Sequence, residues 1–281
     1  MTATDATTRP AGRGEDPRSS DPAAPQRWAP GGRGAAPLWR ATLAQTAMEL
    51  RLTTRRGENV LVTIVIPVAI LAFFASVNVL PTVAGRPIDF LLPGVLALAV
   101  ISTSLVNLGI ATAYERSYGV LKRLGGSPLP RAGLVVAKMI SVLAIELVQV
   151  VLLVAIASIA FGWRAPQGAS LGVTVAALLL GTLSFAGLGL LMAGTLRAEA
   201  TLAGANGLYL AFLLLGGIVI PVDHLPSLLA DVARVLPAAA LSDAFRIGLG
   251  ASSGDPLGPL ALVAGWGIVA AGLAAARFRW E

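Results

Sequence analysis

Apolar residues in this chain run in long unbroken blocks. They do not show the two-residue alternation of a half-buried strand. Six blocks stand out, at 59–80, 90–113, 133–161, 169–196, 201–220 and 257–276. At 1.5 Å of rise per residue, the first would be about 33 Å long as a helix, enough to cross the hydrocarbon core of a bilayer. The pattern therefore predicts an all-α, polytopic membrane protein with six transmembrane helices. It argues against a membrane β-barrel, whose strands alternate. Pro67 is expected to kink the first span, and Pro93 sits near the outer end of the second. The third is long enough to tilt or to begin at the interface. The fourth is rich in glycine (Gly172, Gly181, Gly187, Gly189, Gly194), and the fifth region adds Gly204, Gly207, Gly216 and Gly217. Small residues of this kind let helix backbones approach closely, here within one subunit.

The segments between the blocks differ in kind. Residues 1–36 are mostly Pro, Gly, Ala, Arg, Ser and Asp, a composition that cannot bury a core and predicts a disordered tail. The tail lacks the apolar core of a signal peptide and is expected to stay in the cytoplasm. A domain boundary is placed at 36/37, with the membrane domain at 37–281. In 37–56, Trp39, Leu43, Ala47 and Leu50 recur at helical spacing while Arg40, Arg51 and Arg55 fall on other faces. That pattern predicts an amphipathic helix lying at the cytoplasmic interface. Segment 221–256 is too polar to span and too apolar for a plain loop. Two short helices are expected there, at 225–236 and 238–249, divided by Pro237. The first carries Leu228, Leu229, Val232 and Val235 on one side; in the second, Asp243 and Arg246 are spaced to pair. Twelve residues cannot cross a bilayer, so a re-entrant hairpin in the outer leaflet is the expected arrangement.

The stretch 114–138 is a charged, turn-rich island between two apolar blocks, and it holds both lysines of the chain, Lys122 and Lys138. Val120, Leu121 and Leu124 fall on one face of a short helix, with Lys122 and Arg123 beside them. Gly125-Gly126 can stop that helix, and Pro128 and Pro130 keep it stopped. A short helix lying under the membrane, tied at both ends to spans, can pass a push from a soluble partner into the bilayer. Six spans with this island inside place 17 of the 21 Lys and Arg residues on the cytoplasmic side; only Arg86, Arg164, Arg234 and Arg246 fall outside. The bias orients both termini to the cytoplasm.

Composition agrees. Only 13% of the 281 residues are charged and 56% are hydrophobic, whereas soluble chains carry about 25% charge. The net charge of +6 flanks the spans, so topology and anionic lipid account for it better than nucleic acid does. No cysteine is present, which excludes disulfides and thiolate chemistry; the one histidine, His224, excludes paired-histidine haem and zinc sites. No Gly-x4-Gly-Lys-Ser/Thr loop exists, so the chain cannot hydrolyse ATP by that route. No catalytic residue or metal site is expected. Inside the spans, Glu146 and Gln149 lie three apart on one helix face near mid-bilayer. A charge there costs on the order of 3 kcal/mol or more, so Glu146 needs a cavity or a partner. Two readings stand side by side: contact with a cationic amphipathic cargo or a proton, and hydrogen bonding between helices. Asn78, Asn107 and Asn206 read as helix–helix contacts.

Glu115, Arg116, Gly119, Leu121, Arg123 and Leu124 form the pattern Glu-Arg-x-x-Gly-x-Leu-x-Arg-Leu, followed by a turn containing Pro128 and the start of the third span. In these residues the chain resembles the permeases of ABC-2 type transporters, most of all the daunorubicin-resistance type, over 37–281. The resemblance implies that this segment is a coupling helix seated on a separate, soluble ATPase subunit, with Glu115, Arg116, Gly119, Leu121, Lys122, Arg123 and Leu124 as coupling residues. It implies that ATP and Mg are used by that partner and that no cofactor is bound by this chain. Two permease subunits, identical or different, would pair with two ATPases in a bacterial cell membrane. The half-helices before the last span would cap the exit. The cargo would be an amphipathic drug-like or lipid-like molecule, with Glu146 and Gln149 as candidates along its path. A permease for polysaccharide or lipid-linked glycan is the nearest alternative, disfavoured by 6% aromatic content. A proton-driven secondary transporter working through Glu146 would predict an inverted repeat, and none is visible. A membrane anchor or sensor without transport is a further alternative.

Overall fold

The computed structural model describes residues 37–55, 57–76, 86–124 and 130–278. Among them all the secondary structure is helical, with no strand. The elements are α1 (Leu38–Arg55), α2 (Gly57–Ser76), α3 (Pro87–Ile101), a π-helical turn (Ser102–Asn107), α4 (Leu108–Ser117), α5 (Val120–Leu124), α6 (Arg131–Phe161), α7 (Leu171–Thr195), α8 (Ala198–Leu215), a 3-10 turn (Val222–His224), α9 (Ser227–Val235), α10 (Pro237–Gly248) and α11 (Leu257–Arg277).

Among the described residues, five helices are long and apolar enough to cross a membrane: Pro87–Ser117, Ala132–Phe161, Leu171–Thr195, Ala198–Leu215 and Leu257–Arg277. They match five of the six expected blocks. The block at 59–80 is helical as far as Ser76, in a helix of 20 residues with Pro67 inside it, of which Thr63–Ser76 is the part whose side chains are described. Residues 77–80, Asn78 among them, lie outside the described residues.

The helix made by α3, the π turn and α4 is the centre of the bundle. From Phe90 to Ile101 its sequence holds no polar side chain, as expected of a helix surrounded by protein. Leu91, Leu92, Val95, Leu96, Leu98 and Ile101 are all fully buried. Around it pack α2, α6, α7, α8 and α10. The outer helices α6, α8 and α11 keep much of their apolar surface exposed, with Val151, Leu214 and Ile268 turned outward, as lipid-facing helices do.

Most of the glycines read from the sequence act as close-packing points within the subunit, whereas Gly207 has nothing within 4 Å. A methyl group added at Gly189 would stand 2.8 Å from the Leu105 carbonyl oxygen, and one at Gly187 would stand 2.9 Å from the Ala271 backbone nitrogen. The α7 backbone therefore lies directly on the π turn and on α11. Gly172 has open space around it, with only its neighbour Ser170 in reach.

The half-helices form where expected, but they are not equivalent. α9 turns Leu228 and Val235 outward. α10 is a core element instead, packed on α3, α7 and α11, with Leu241, Ala244 and Phe245 fully buried. Pro237 begins α10 at its first turn, where the missing N–H costs nothing. Asp243 and Arg246 do pair, at 2.8 Å. Arg246 also donates to the Gly217 carbonyl oxygen and lies 4.3 Å from the ring centre of Phe90. One side chain thus ties α10 to the end of α8 and to α3.

Candidate functional site

The α4–α5 corner is built by its sequence. α4 ends at Ser117, and Gly119 takes φ 68, a left-handed conformation that residues with a Cβ rarely adopt. A side chain at Gly119 would have open space, so the glycine is there for the backbone turn and not for room. The turn is closed by Tyr118 N–H to Tyr114 O at 2.9 Å and Gly119 N–H to Arg116 O at 3.0 Å. The chain reverses, and α5 starts at once.

α5 presents two faces. Leu121 is 1% exposed and points into the subunit. Val120 is 38% exposed, and Lys122 and Arg123 are exposed beside it. The side chain of Leu124 lies outside the described residues, as do Gly125, Gly126 and Pro128. Among the described side chains of this helix, Val120 is the outward apolar residue, and Leu121 is turned into its own subunit.

Behind α5 lies a charge cluster. Lys138, on the second turn of α6, is 3% exposed, and its Nζ stands 2.7 Å from the Glu115 carboxylate and 3.1 Å from that of Glu49. Glu49 comes from α1, Glu115 from α4 and Lys138 from α6, so one ammonium joins three helices. Gln45 donates to Glu49 at 2.9 Å, and the Thr46 hydroxyl lies 3.5 Å from Ala137 O. Arg116 donates to the Leu196 carbonyl oxygen at the end of α7. Of the residues read as coupling residues, Glu115 and Arg116 are thus bound within the subunit, and Lys122 and Arg123 face outward.

This arrangement inverts the usual sense of an amphipathic helix for α1. Its buried residues are the polar Thr46 and Glu49, while Trp39, Leu43 and Met48 are exposed. Such a helix holds the protein through its polar side and leaves much of its apolar side exposed.

A second polar cluster sits in the middle of the bundle, around the π turn. The wider turn aims Thr103, Ser104 and Asn107 at neighbouring helices. The Glu146 carboxyl takes hydrogen bonds from the hydroxyls of Ser104 and Thr182. Gln149 accepts from Thr103 at 2.8 Å and donates to the Thr63 carbonyl oxygen at 2.9 Å. Asn107 donates to the Thr63 hydroxyl at 3.1 Å. Glu146 and Gln149 are 1% and 2% exposed, and both are closed over by partners from α2, the π turn and α7. Four helical segments are bound together there. Asn107 does make a helix–helix contact, whereas among the described residues Asn206 bonds to Leu202 O in its own helix.

The sequence reading missed both acceptors of Lys138 and all four hydroxyl partners. The signal was faint: Lys138 breaks an apolar run in α6, and Ser or Thr residues interrupt three different blocks, at Thr63, at Ser102-Thr103-Ser104 and at Thr182.

Comparison with known proteins adds to this geometry. The chain matches the family model described as ABC-2 type transporter over residues 40–249, from α1 through α10. It is 28% identical over 204 residues to the transport permease YvfS of Bacillus subtilis (strain 168), covering 69% of this chain and 79% of that one. It is also 28% identical over 176 residues to ABC transporter G family member 20 of Dictyostelium discoideum, covering 60% of this chain and 24% of that one. The chain thus spans about a quarter of the Dictyostelium relative's length and about four fifths of the Bacillus one. With the matched region covering most of the chain and all but the last of its membrane helices, the protein belongs to the ABC-2 type transporter family, as a multi-pass membrane component.

Proposed function

We propose that this chain is the permease subunit of an ATP-driven exporter, working with a separate soluble ATPase and a second permease subunit in a bacterial cell membrane. α2 is the first of six spans, both termini are cytoplasmic, and α5 is the coupling helix. The observation that carries the reading is the build of α5. It is a five-residue helix with Val120, Lys122 and Arg123 outward, latched behind by Leu121 and by the Glu49–Lys138–Glu115 cluster. A partner that moves α5 necessarily pulls on α4 through Gly119 and, through Lys138, on α1 and α6. Among the described side chains, Val120 offers an apolar contact and Lys122 and Arg123 offer cations, suited to a cleft with acidic walls.

The cargo is an amphipathic, drug-like or lipid-like molecule. Glu146 and Gln149 serve as a structural lock, because the groups that a cargo would contact are already bonded to neighbouring helices. ATP and Mg belong to the partner. The test is replacement of residues 119–124 by a Gly-Ser linker of equal length in the reconstituted transporter. Export is expected to lose its ATP dependence while the permease remains inserted. Full ATP-driven export with the linker overturns the assignment.

A further inference from the structure

A hollow of about 460 Å³ lies between α4, α5, α6, α7 and α11, at the end of the bundle that carries α5. Its volume falls within the range of small-ligand sites. The walls are almost wholly apolar; Leu121, Leu183, Ala271 and Phe278 are among them. The opening lies beside Val136, which is 47% exposed, and beside the exposed Ala132 and Ala275, all on helices whose outer faces are apolar. It therefore opens sideways, toward lipid.

Two polar residues line it, Thr112 and Lys138. Lys138 is already bound by two carboxylates. Thr112 is 2% exposed, and its hydroxyl has no hydrogen-bond partner among the described residues. A buried hydroxyl left unpaired costs about 1–3 kcal/mol, so an apolar hollow that keeps one favours an occupant with a hydrogen-bond acceptor. The same end of the bundle carries Lys122, Arg123 and Arg277, exposed cations that attract anionic headgroups.

We propose that this hollow is a binding site for a membrane phospholipid, with one acyl chain in the cavity and an ester carbonyl accepting from Thr112. Leu121 forms part of the wall, so the bound chain packs directly against the residue that α5 turns into its own subunit. The consequence for coupling rests on the reading of α5 given above; the lipid site itself does not.

The test uses the full chain in nanodiscs, without ATPase or nucleotide. The probe is a phosphatidylglycerol whose acyl chain carries a photoreactive diazirine, in ester-linked and ether-linked forms. Label is expected on 132–139 and 271–278. Ala271→Phe and Ala275→Phe fill the hollow and are expected to lower that label at least fivefold, whereas Val148→Phe, on an exposed part of α6 remote from the hollow, leaves it unchanged. The ester lipid is expected to label at least threefold more than the ether lipid, and Thr112→Val to abolish the difference. Equal labelling of filled and unaltered protein, or label as dense over 147–151 as over the cavity walls, overturns the site. Equal labelling by ester and ether lipid overturns the role of Thr112. Because no ATPase is present, either failure leaves the coupling assignment standing, and failure of coupling leaves this result standing.

Discussion

Replacing Lys138 with Met removes the one cation that two carboxylates share. Glu115 and Glu49 stand 2.7 and 3.1 Å from Nζ, and the side chains of Lys138, Glu49 and Glu115 are only 4%, 11% and 14% exposed. At that burial the pair energies are not those of a surface salt bridge, which is worth about 0–1 kcal/mol. Removing one partner of a buried pair costs about 3–5 kcal/mol, because the remaining charge is left uncompensated. Here two like charges remain, held near each other by α1 and α4. Residual exposure and the Gln45 bond to Glu49 give some relief, so the expected loss is about 3 kcal/mol, near the lower end of that range. Converting both acids as well, in Lys138→Met/Glu49→Gln/Glu115→Gln, removes the stranded charges. That triple variant is expected to recover to within about 1 kcal/mol of the unaltered protein, since replacing a whole buried ion cluster is often neutral. The assay is reversible unfolding of the purified permease in mixed micelles, followed by circular dichroism. A single variant within about 0.5 kcal/mol of the parent, or a triple variant as unstable as the single one, would refute the view that Lys138 compensates buried charge.

The remaining expectations use the same unfolding assay. Glu146→Gln keeps an acceptor for Ser104 and a donor for Thr182 and is expected to be nearly neutral, whereas Glu146→Leu loses both bonds. At about 0.6–1.7 kcal/mol per interhelical bond in a membrane, that loss is about 1–3 kcal/mol; equal stability of the two variants contradicts the lock. Gly189→Val drives a side chain against the Leu105 and Ser104 carbonyl oxygens and is expected to cost about 1–3 kcal/mol through overpacking, while Gly172→Val, in open space, should not. Gly119→Ala strains a φ of 68 without a clash; it is expected to lower stability by about 1 kcal/mol and to weaken ATP-driven export more than it weakens folding. For topology, a single cysteine at Ser253 should be labelled from outside the cell only, and labelling solely from the cytoplasm would invert the orientation.

The spans were legible because a long apolar run has few alternatives to a membrane helix, and five blocks kept their expected bounds to within a few residues. The short helix Val120–Leu124 was legible for a similar local reason, a run of apolar positions at helical spacing. α10 was not. Its length marked it as unable to span, but length and periodicity cannot say that Leu241 and Phe245 pack into the centre of the bundle and not along a surface. Leu121 illustrates the same limit, since the helical pattern grouped it with Val120 while burial separates them. The two polar clusters were half visible. Glu146 and Lys138 stand out as charges in apolar surroundings, but their partners, Ser104, Thr182, Glu49 and Glu115, come from helices 23 to 89 residues away along the chain. Such pairings depend on helix packing and on the π turn, neither of which a single sequence prints.

Attachment of α5 to an ATPase is the central claim, and site-directed crosslinking tests it most directly. The chain has no cysteine, so a single thiol at Lys122 carries a photoreactive group without background. The expected result, in membranes containing the transporter's ATPase, is an adduct between Lys122→Cys and that ATPase, with none from a thiol at Ser252, at the opposite end of the bundle. An adduct from Ser252→Cys and none from Lys122→Cys, with both variants inserted and the ATPase present, would contradict the claim.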